Sequence, residues 1–204
     1  METRGRLGID DGGGPGGPTA ARLVAAARRA IAARGTDRLT MSAVAAEAGV
    51  SRPTLYRWFP TKALLLAAVT AEEVAEFDAG LRRATASRRS RRARLDAAIG
   101  HLVEWLAPTS RAIGADPAFA LQSLADSLPA HVASLTGLLG DALDCVPAVR
   151  AGAMSRAQAA EVLLRLAQSY YLVPPGRAAD MLGLLRAFAG LDRRSRLYTF
   201  QGNV

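Results

Sequence analysis

Residues 51–62, SRPTLYRWFPTK, hold side chains whose types and spacing suit the surface of a DNA duplex. An arginine fork can donate two hydrogen bonds to guanine, and a threonine can meet a base edge or the thymine methyl. On a helix opening at Arg52, the residues Arg52, Pro53, Thr54, Tyr56 and Arg57 fall on or near one outward face, with Ser51 at the same end. Of these, Arg52, Thr54 and Arg57 suit base edges. Tyr56 and Lys62 suit phosphates, since a phenol and an ammonium set orientation without a base code. Thr40 or the first turn after it can add a further backbone contact.

Such residues read DNA only if a short helix holds them against a groove. Thr40 is a cap for one helix, reaching about Ala48, and Ser51 is a cap for the next, over Arg52–Trp58. Gly49 permits the sharp turn between them. Pro53 sits in the first turn, where its missing N–H costs little, and Pro60 ends the helix. Val44, Ala48, Val50, Leu55 and Trp58 are spaced to form a shared buried face, and the small Ala45 suits a close crossing. Trp58 and Phe59 read as core. The pattern is a helix-turn-helix, whose second helix enters the major groove. A supporting helix is expected over Thr19–Arg34, capped by Thr19 and stopped by Gly35. Thr61 caps a fourth helix, from Lys62 to about Leu81, and the helix ends at Thr40 and Thr61 can offer N–H groups to phosphates.

Charge is consistent with a polyanion partner. The chain of 204 residues carries +8. Residues 19–62 hold eight basic and two acidic side chains, and residues 82–94 hold seven arginines and no acid. Lys62 is the only lysine, so part of the excess can reflect a G+C-rich coding sequence. A fourth helix opening at Lys62 advances about 1.5 Å per residue, so residue 82 would stand some ~30 Å from the duplex. The run Arg82–Arg94 therefore reads as a solvated linker. Arg4 and Arg6 lie in a Gly-rich segment, 1–18, that reads as a disordered tail.

Half the residues are hydrophobic, and Ala, Leu and Arg dominate, so the fold class is all-α with a real core. Further helices are expected over 95–107, from Asp116-Pro117 to a break or kink at Pro129, over 130–143, from the capping box Ser155–Gln158 to about 172, and over 177–189. Residues 145–154 read as a loop. The single Cys145 excludes an intrachain disulfide and fits a cytoplasmic protein. No segment looks like a signal peptide or a membrane span. Two histidines and one cysteine, widely spaced, make no credible metal site, and no cofactor is indicated.

The stretch SRPTLYRWFPTKALL resembles the signature of the tetracycline-repressor (TetR) family. Gly49-Val50-Ser51, Leu55-Tyr56, Phe59 and Lys62 match, as do the preceding helix and its N-terminal position; the likeness covers roughly residues 19–70. One departure is visible. Relatives often carry a glutamate early in the fourth helix, where Ala63 and Leu64 stand here, which weakens that cap by ~0.5–1 kcal/mol.

The resemblance implies a disordered tail (1–18), a helix-turn-helix DNA-binding domain (19–65) and a helical ligand-binding and dimerisation domain (66–204). It implies a double-stranded DNA operator, palindromic and bound by a homodimer, and no enzymatic activity. The dimer would form through helices 155–172 and 177–189, with stripes Val162, Leu163, Leu166, Tyr170 and Met181, Leu184, Leu185, Phe188. Those stripes can equally pack within their own subunit. A small-molecule effector, apolar or amphipathic, would be enclosed by helices 95–143, with His101, Trp105, Phe119, Gln122 and Tyr171 as candidate contacts. The other classes are a sequence-nonspecific basic DNA binder and a helical-bundle enzyme. The first predicts steep salt dependence without a preferred site, and the second lacks any nucleophile–base pair.

Overall fold

A computed structural model describes residues 17–107, 117–172 and 178–192, and every regular element among them is helical. Residues 1–16, and with them most of the expected tail, lie outside the described residues. The chain divides into two compact units, the first ending at Ala71 and the second beginning at Glu72. Leu65 and Val69 are buried with the first core, so the opening turns of the fourth helix belong to the first unit. The boundary accordingly falls later than the expected 65/66.

The first unit contains α1 (Pro18–Arg34), α2 (Met41–Glu47), α3 (Arg52–Trp58) and the start of α4 (Lys62–Ala86). Helix α1 opens one residue before the expected cap. Gly17 occupies the cap position and Pro18 the first turn, where a fixed φ is already helical. Thr19 therefore lies inside the helix. Gly35 has φ 75°, and its N–H reaches the Ile31 carbonyl at 2.8 Å, which closes the C-terminus. Leu23, Ala27, Val44, Ala45 and Leu55 are buried together. Ala45 has no side chain beyond Cβ, which lets helix backbones approach closely.

The second unit contains the rest of α4, then α5 (Arg91–Leu106), α6 (Pro117–Leu139), a 3-10 turn (Gly140–Cys145), α7 (Pro147–Arg150), α8 (Arg156–Leu172) and α9 (Ala178–Phe188). Its core joins Leu95, Ile99 and Leu102 of α5 to Leu139 of α6, Leu163 of α8 and Leu185 of α9. Helix α6 continues through Pro129, contrary to the expected break. Pro129 and Ala125 are both exposed, so the carbonyl that loses its N–H partner can be met by water. The expected loop over 145–154 is also partly helical. Pro147 starts a short turn there, and Ala151 N–H closes it on the Pro147 carbonyl at 3.0 Å. The Ser155–Gln158 box forms as read, with Ser155 N–H on Gln158 Oε1 at 2.8 Å and Gln158 N–H on Ser155 Oγ at 3.1 Å.

The arginine run is not a free linker. Arg82 and Arg83 lie within α4, Ser90 caps α5, and Arg91 and Arg94 are in its first turn. Arg91 Nε donates to Asp141 at 2.7 Å, Arg94 donates to the same carboxylate, and Arg82 faces Asp78 at 3.5 Å. The two bonds to Asp141 pin the start of α5 to the 3-10 turn. No helix among the described residues is long and apolar enough to cross a membrane.

Candidate nucleic-acid interface

The candidate reader is built by two capped helices and a glycine. Thr40 Oγ1 accepts from Ala43 N–H at 3.1 Å and Ser51 Oγ from Thr54 N–H at 3.3 Å. Gly49 holds φ 65° between them, a left-handed conformation that side chains disfavour. Leu55 is fully buried and Phe59 nearly so, while Trp58 is half-buried with its indole Nε1 enclosed. These residues set the rotation of α3. Arg52, Pro53, Tyr56 and Arg57 consequently face outward, with Tyr56 44% exposed. Among the described residues Arg52 and Arg57 have no carboxylate or carbonyl partner, so their forks are available. Thr54 is half-buried, and its hydroxyl bonds with Ser51 Oγ at 2.8 Å. Those two side chains are thus partly committed to the helix start.

Two contacts with no local signal in the chain hold this geometry. Arg22 of α1 donates to the Ala48 carbonyl at 2.8 Å, bracing the end of α2 beside the turn. Lys62 Nζ donates to the Thr36 carbonyl at 2.6 Å, tying the start of α4 to the segment before α2. The ammonium keeps two further donors. Each bond spans 26 residues, beyond the reach of helical periodicity or cap patterns. Arg29 pairs with Glu47 at 2.9 Å, so part of the basic excess in this unit is internally balanced.

The candidate effector residues divide. His101 and Trp105 of α5 meet, with ring centroids 6.3 Å apart, and both pack on Phe77 of α4, at 5.2 and 5.7 Å. His131 of α6, not anticipated from the sequence, lies 4.7 Å from Phe77 edge-on. The His101 Nε2–H donates to the Phe77 carbonyl at 3.1 Å. Gly80 makes this approach possible, because a Cβ there would stand 2.3 Å from the His101 ring. Burial lowers the pKa of His101, a shift opposed by the Phe77 carbonyl, and it lowers that of His131, opposed by the Asp78 carboxylate. Gln122 is not part of this cluster. It is exposed on α6 and donates to Asp126 at 2.8 Å. The side chains of Phe119, Tyr170 and Tyr171 lie outside the described residues.

The two stripes of α8 and α9 are mixed. Leu163, Met181 and Leu185 are buried in their own unit, whereas Leu166 and Leu184 are 42% and 61% exposed. No group of three or more His, Cys, Asp or Glu able to hold a metal occurs among the described residues.

Comparison with known proteins agrees with this geometry. Residues 23–69 match the model of the family described as bacterial regulatory proteins, tetR family. Two uncharacterized HTH-type transcriptional regulators from strains of Mycobacterium tuberculosis are each 36% identical over 58 residues, 28% of this chain and 31% of theirs. The match thus spans about a third of the length of these curated relatives. Among solved structures, the TetR family repressor AlkX of a Dietzia strain superposes with TM-score 0.59 at 22% identity, covering 87% of this chain and 96% of its own. FadR of Bacillus subtilis, solved in complex with stearoyl-CoA, superposes with TM-score 0.55 at 17% identity, covering 84% and 96%. These likenesses show a shared all-helical fold. Residues 23–69, which hold the capped turn at Gly49 and the outward face of α3, are thus similar to the tetR family of bacterial regulatory proteins.

Proposed function

We propose that the chain is a cytoplasmic, homodimeric regulator of transcription, a repressor, that binds a palindromic operator and releases it when a small molecule binds the second unit. The observation that carries this reading is the face of α3. Arg52 and Arg57 are exposed and unpaired among the described residues, on a helix rotated into place by Leu55 and Phe59. Arg52, Pro53, Thr54 and Arg57 read base edges, while Thr40, Ser51, Tyr56 and Lys62 position the unit on phosphates.

One seven-residue helix makes few contacts, so two copies on half-sites about one helical turn apart are needed for useful specificity. Leu166 and Leu184 support pairing through α8 and α9, since exposed leucines on neighbouring helices are what a second copy can bury. The effector site is centred on Phe77, His101, Trp105 and His131, an apolar setting with few polar groups. Phe77 and Lys62 belong to the same helix, α4, which gives a ligand a route to the reader. The extent of release is set by the ligand's preference for the non-binding state.

A second reading, nonspecific binding by charge, is favoured only by the arginine excess. Selection of bound duplexes from a random pool, followed by a salt-matched gel shift, separates the two. The regulator recovers a palindrome and discriminates against scrambled duplex; a charge-driven binder recovers no preferred sequence and loses affinity steeply with salt.

A further inference from the structure

Among the buried polar atoms of the second unit that lack a hydrogen-bond partner among the described residues are Asp78 Oδ1 on α4 and His131 Nε2 on α6. His131 is only 7% exposed. Asp78 directly follows Phe77, whose ring centroid lies 4.7 Å from that of His131, and its carboxylate acts electrostatically on the His131 ring. Buried polar atoms are nearly always satisfied, and each exception calls for a physical reason. Here two exceptions of complementary capacity adjoin one aromatic wall. Ionised Asp78 can only accept, whereas a neutral imidazole Nε2 can donate. Phe77 stands edge-on to His131 at 4.7 Å, and Trp105 packs on Phe77 at 5.7 Å.

We infer that Asp78 and His131 form a clamp for the hydroxyl group of an uncharged, otherwise apolar small molecule, which donates to Asp78 Oδ1 and accepts from His131 Nε2–H. A hydroxyl is the simplest group that meets both demands with one atom. A carboxylate meets His131 but is repelled by Asp78. An ammonium meets Asp78 but has no lone pair for the imidazole donor, and Arg82, 3.5 Å from Asp78 Oδ2, already offsets the acidic charge. Burial lowers the pKa of His131, which favours the neutral ring that the clamp uses. Phe77 and Trp105 then face the apolar body. The inference rests on the ligand-responsive reading proposed above and specifies the chemistry of its effector.

The test is calorimetric titration of the full chain with 1-octanol, octanoate and octylammonium, repeated on His131→Phe and Asp78→Ala. The clamp predicts that 1-octanol binds at least tenfold more tightly than either charged probe, and that each substitution weakens 1-octanol about tenfold. Equal or tighter binding of octanoate or octylammonium overturns it. So does absence of 1-octanol binding, or 1-octanol binding indifferent to both substitutions. Melting curves establish that the variants fold; if they do not, the ranking of the three probes on the unaltered chain decides alone. Duplex selection with the same chain is scored separately. A recovered palindrome without 1-octanol binding refutes the clamp and leaves the regulator standing. 1-Octanol binding without any preferred duplex refutes the regulator and leaves the clamp as a binding site.

Discussion

Arg22 on α1 donates to the Ala48 carbonyl at 2.8 Å, so the supporting helix holds the C-terminal end of α2 at the point where the reader turns. A carbonyl at a helix C-terminus has no intrahelical donor, and a guanidinium satisfies it while complementing the helix dipole. Arg22→Ala is expected to cost about 0.5–1.5 kcal/mol of stability. A urea denaturation series checks this, and an unchanged midpoint contradicts the bracing role.

Gly49 provides a second check on the turn. A Cβ there would meet only the Arg22 guanidinium, at an ordinary 3.7 Å, so space is not the constraint. The constraint is φ 65°. Gly49→Ala should therefore cost about 1 kcal/mol or more from backbone strain. Gly49→Asn should cost less, since asparagine tolerates the left-handed region. Chemical denaturation of the two variants ranks them.

Gly80 tests the opposite balance. Replacing a glycine inside a helix with alanine ordinarily stabilises by about 0.5–1 kcal/mol. Here the new methyl would fall 2.3 Å from the His101 ring, and overpacking of this kind costs about 1–3 kcal/mol. Gly80→Ala is expected to destabilise, and the pair Gly80→Ala with His101→Ala should recover part of the loss. A double-mutant cycle of melting temperatures measures the coupling; no coupling means the ring moves aside freely.

His131 makes stability depend on pH. Burial lowers its pKa in the folded chain below the ordinary 6.5, so below pH 6.5 the unfolded chain binds more protons than the folded one. Stability then falls as pH drops through 6.5 toward the depressed folded value, and it is fully present above 6.5. His101 acts in the same sense. The Asp141 and Asp144 carboxyls, lowered by hydrogen bonds from Arg94, Arg91 and Arg156, lose their contribution only at more acid pH. Thermal melts between pH 7.5 and 5 should show a decline that His131→Phe reduces.

What the chain revealed in advance was local. The caps at Thr40, Ser51 and Ser155, the turn at Gly49 and the stop at Gly35 follow from neighbours within a few residues, and each has the expected bond or dihedral. The missed features involve distant partners. Nothing near Arg22 or Lys62 points to Ala48 or Thr36. The run Arg82–Arg94, expected as a solvated linker, is instead tied at Arg91 and Arg94 to Asp141 of the 3-10 turn. His131 joins the aromatic cluster only through the packing of α6 near α4 and α5, and Pro129 is tolerated because its side of α6 is exposed.

Lys62 and Arg52 distinguish positioning from reading. Lys62→Ala removes the bond to Thr36 and any phosphate contact, so it should lower stability and weaken all duplexes alike, reducing the salt slope by about 1. Arg52→Ala should leave stability nearly unchanged, lower specific affinity by about 1–3 kcal/mol and relax one base position.

The most direct measurement is selection of bound duplexes from a random pool by the full chain and by Arg52→Ala at one salt concentration. The unaltered chain should recover a palindrome with half-sites about one helical turn apart, and Arg52→Ala should recover the same palindrome with one position in each half-site degenerate. A pool without any preferred sequence, or identical preferences for both proteins, would contradict the assignment of α3 as the reader.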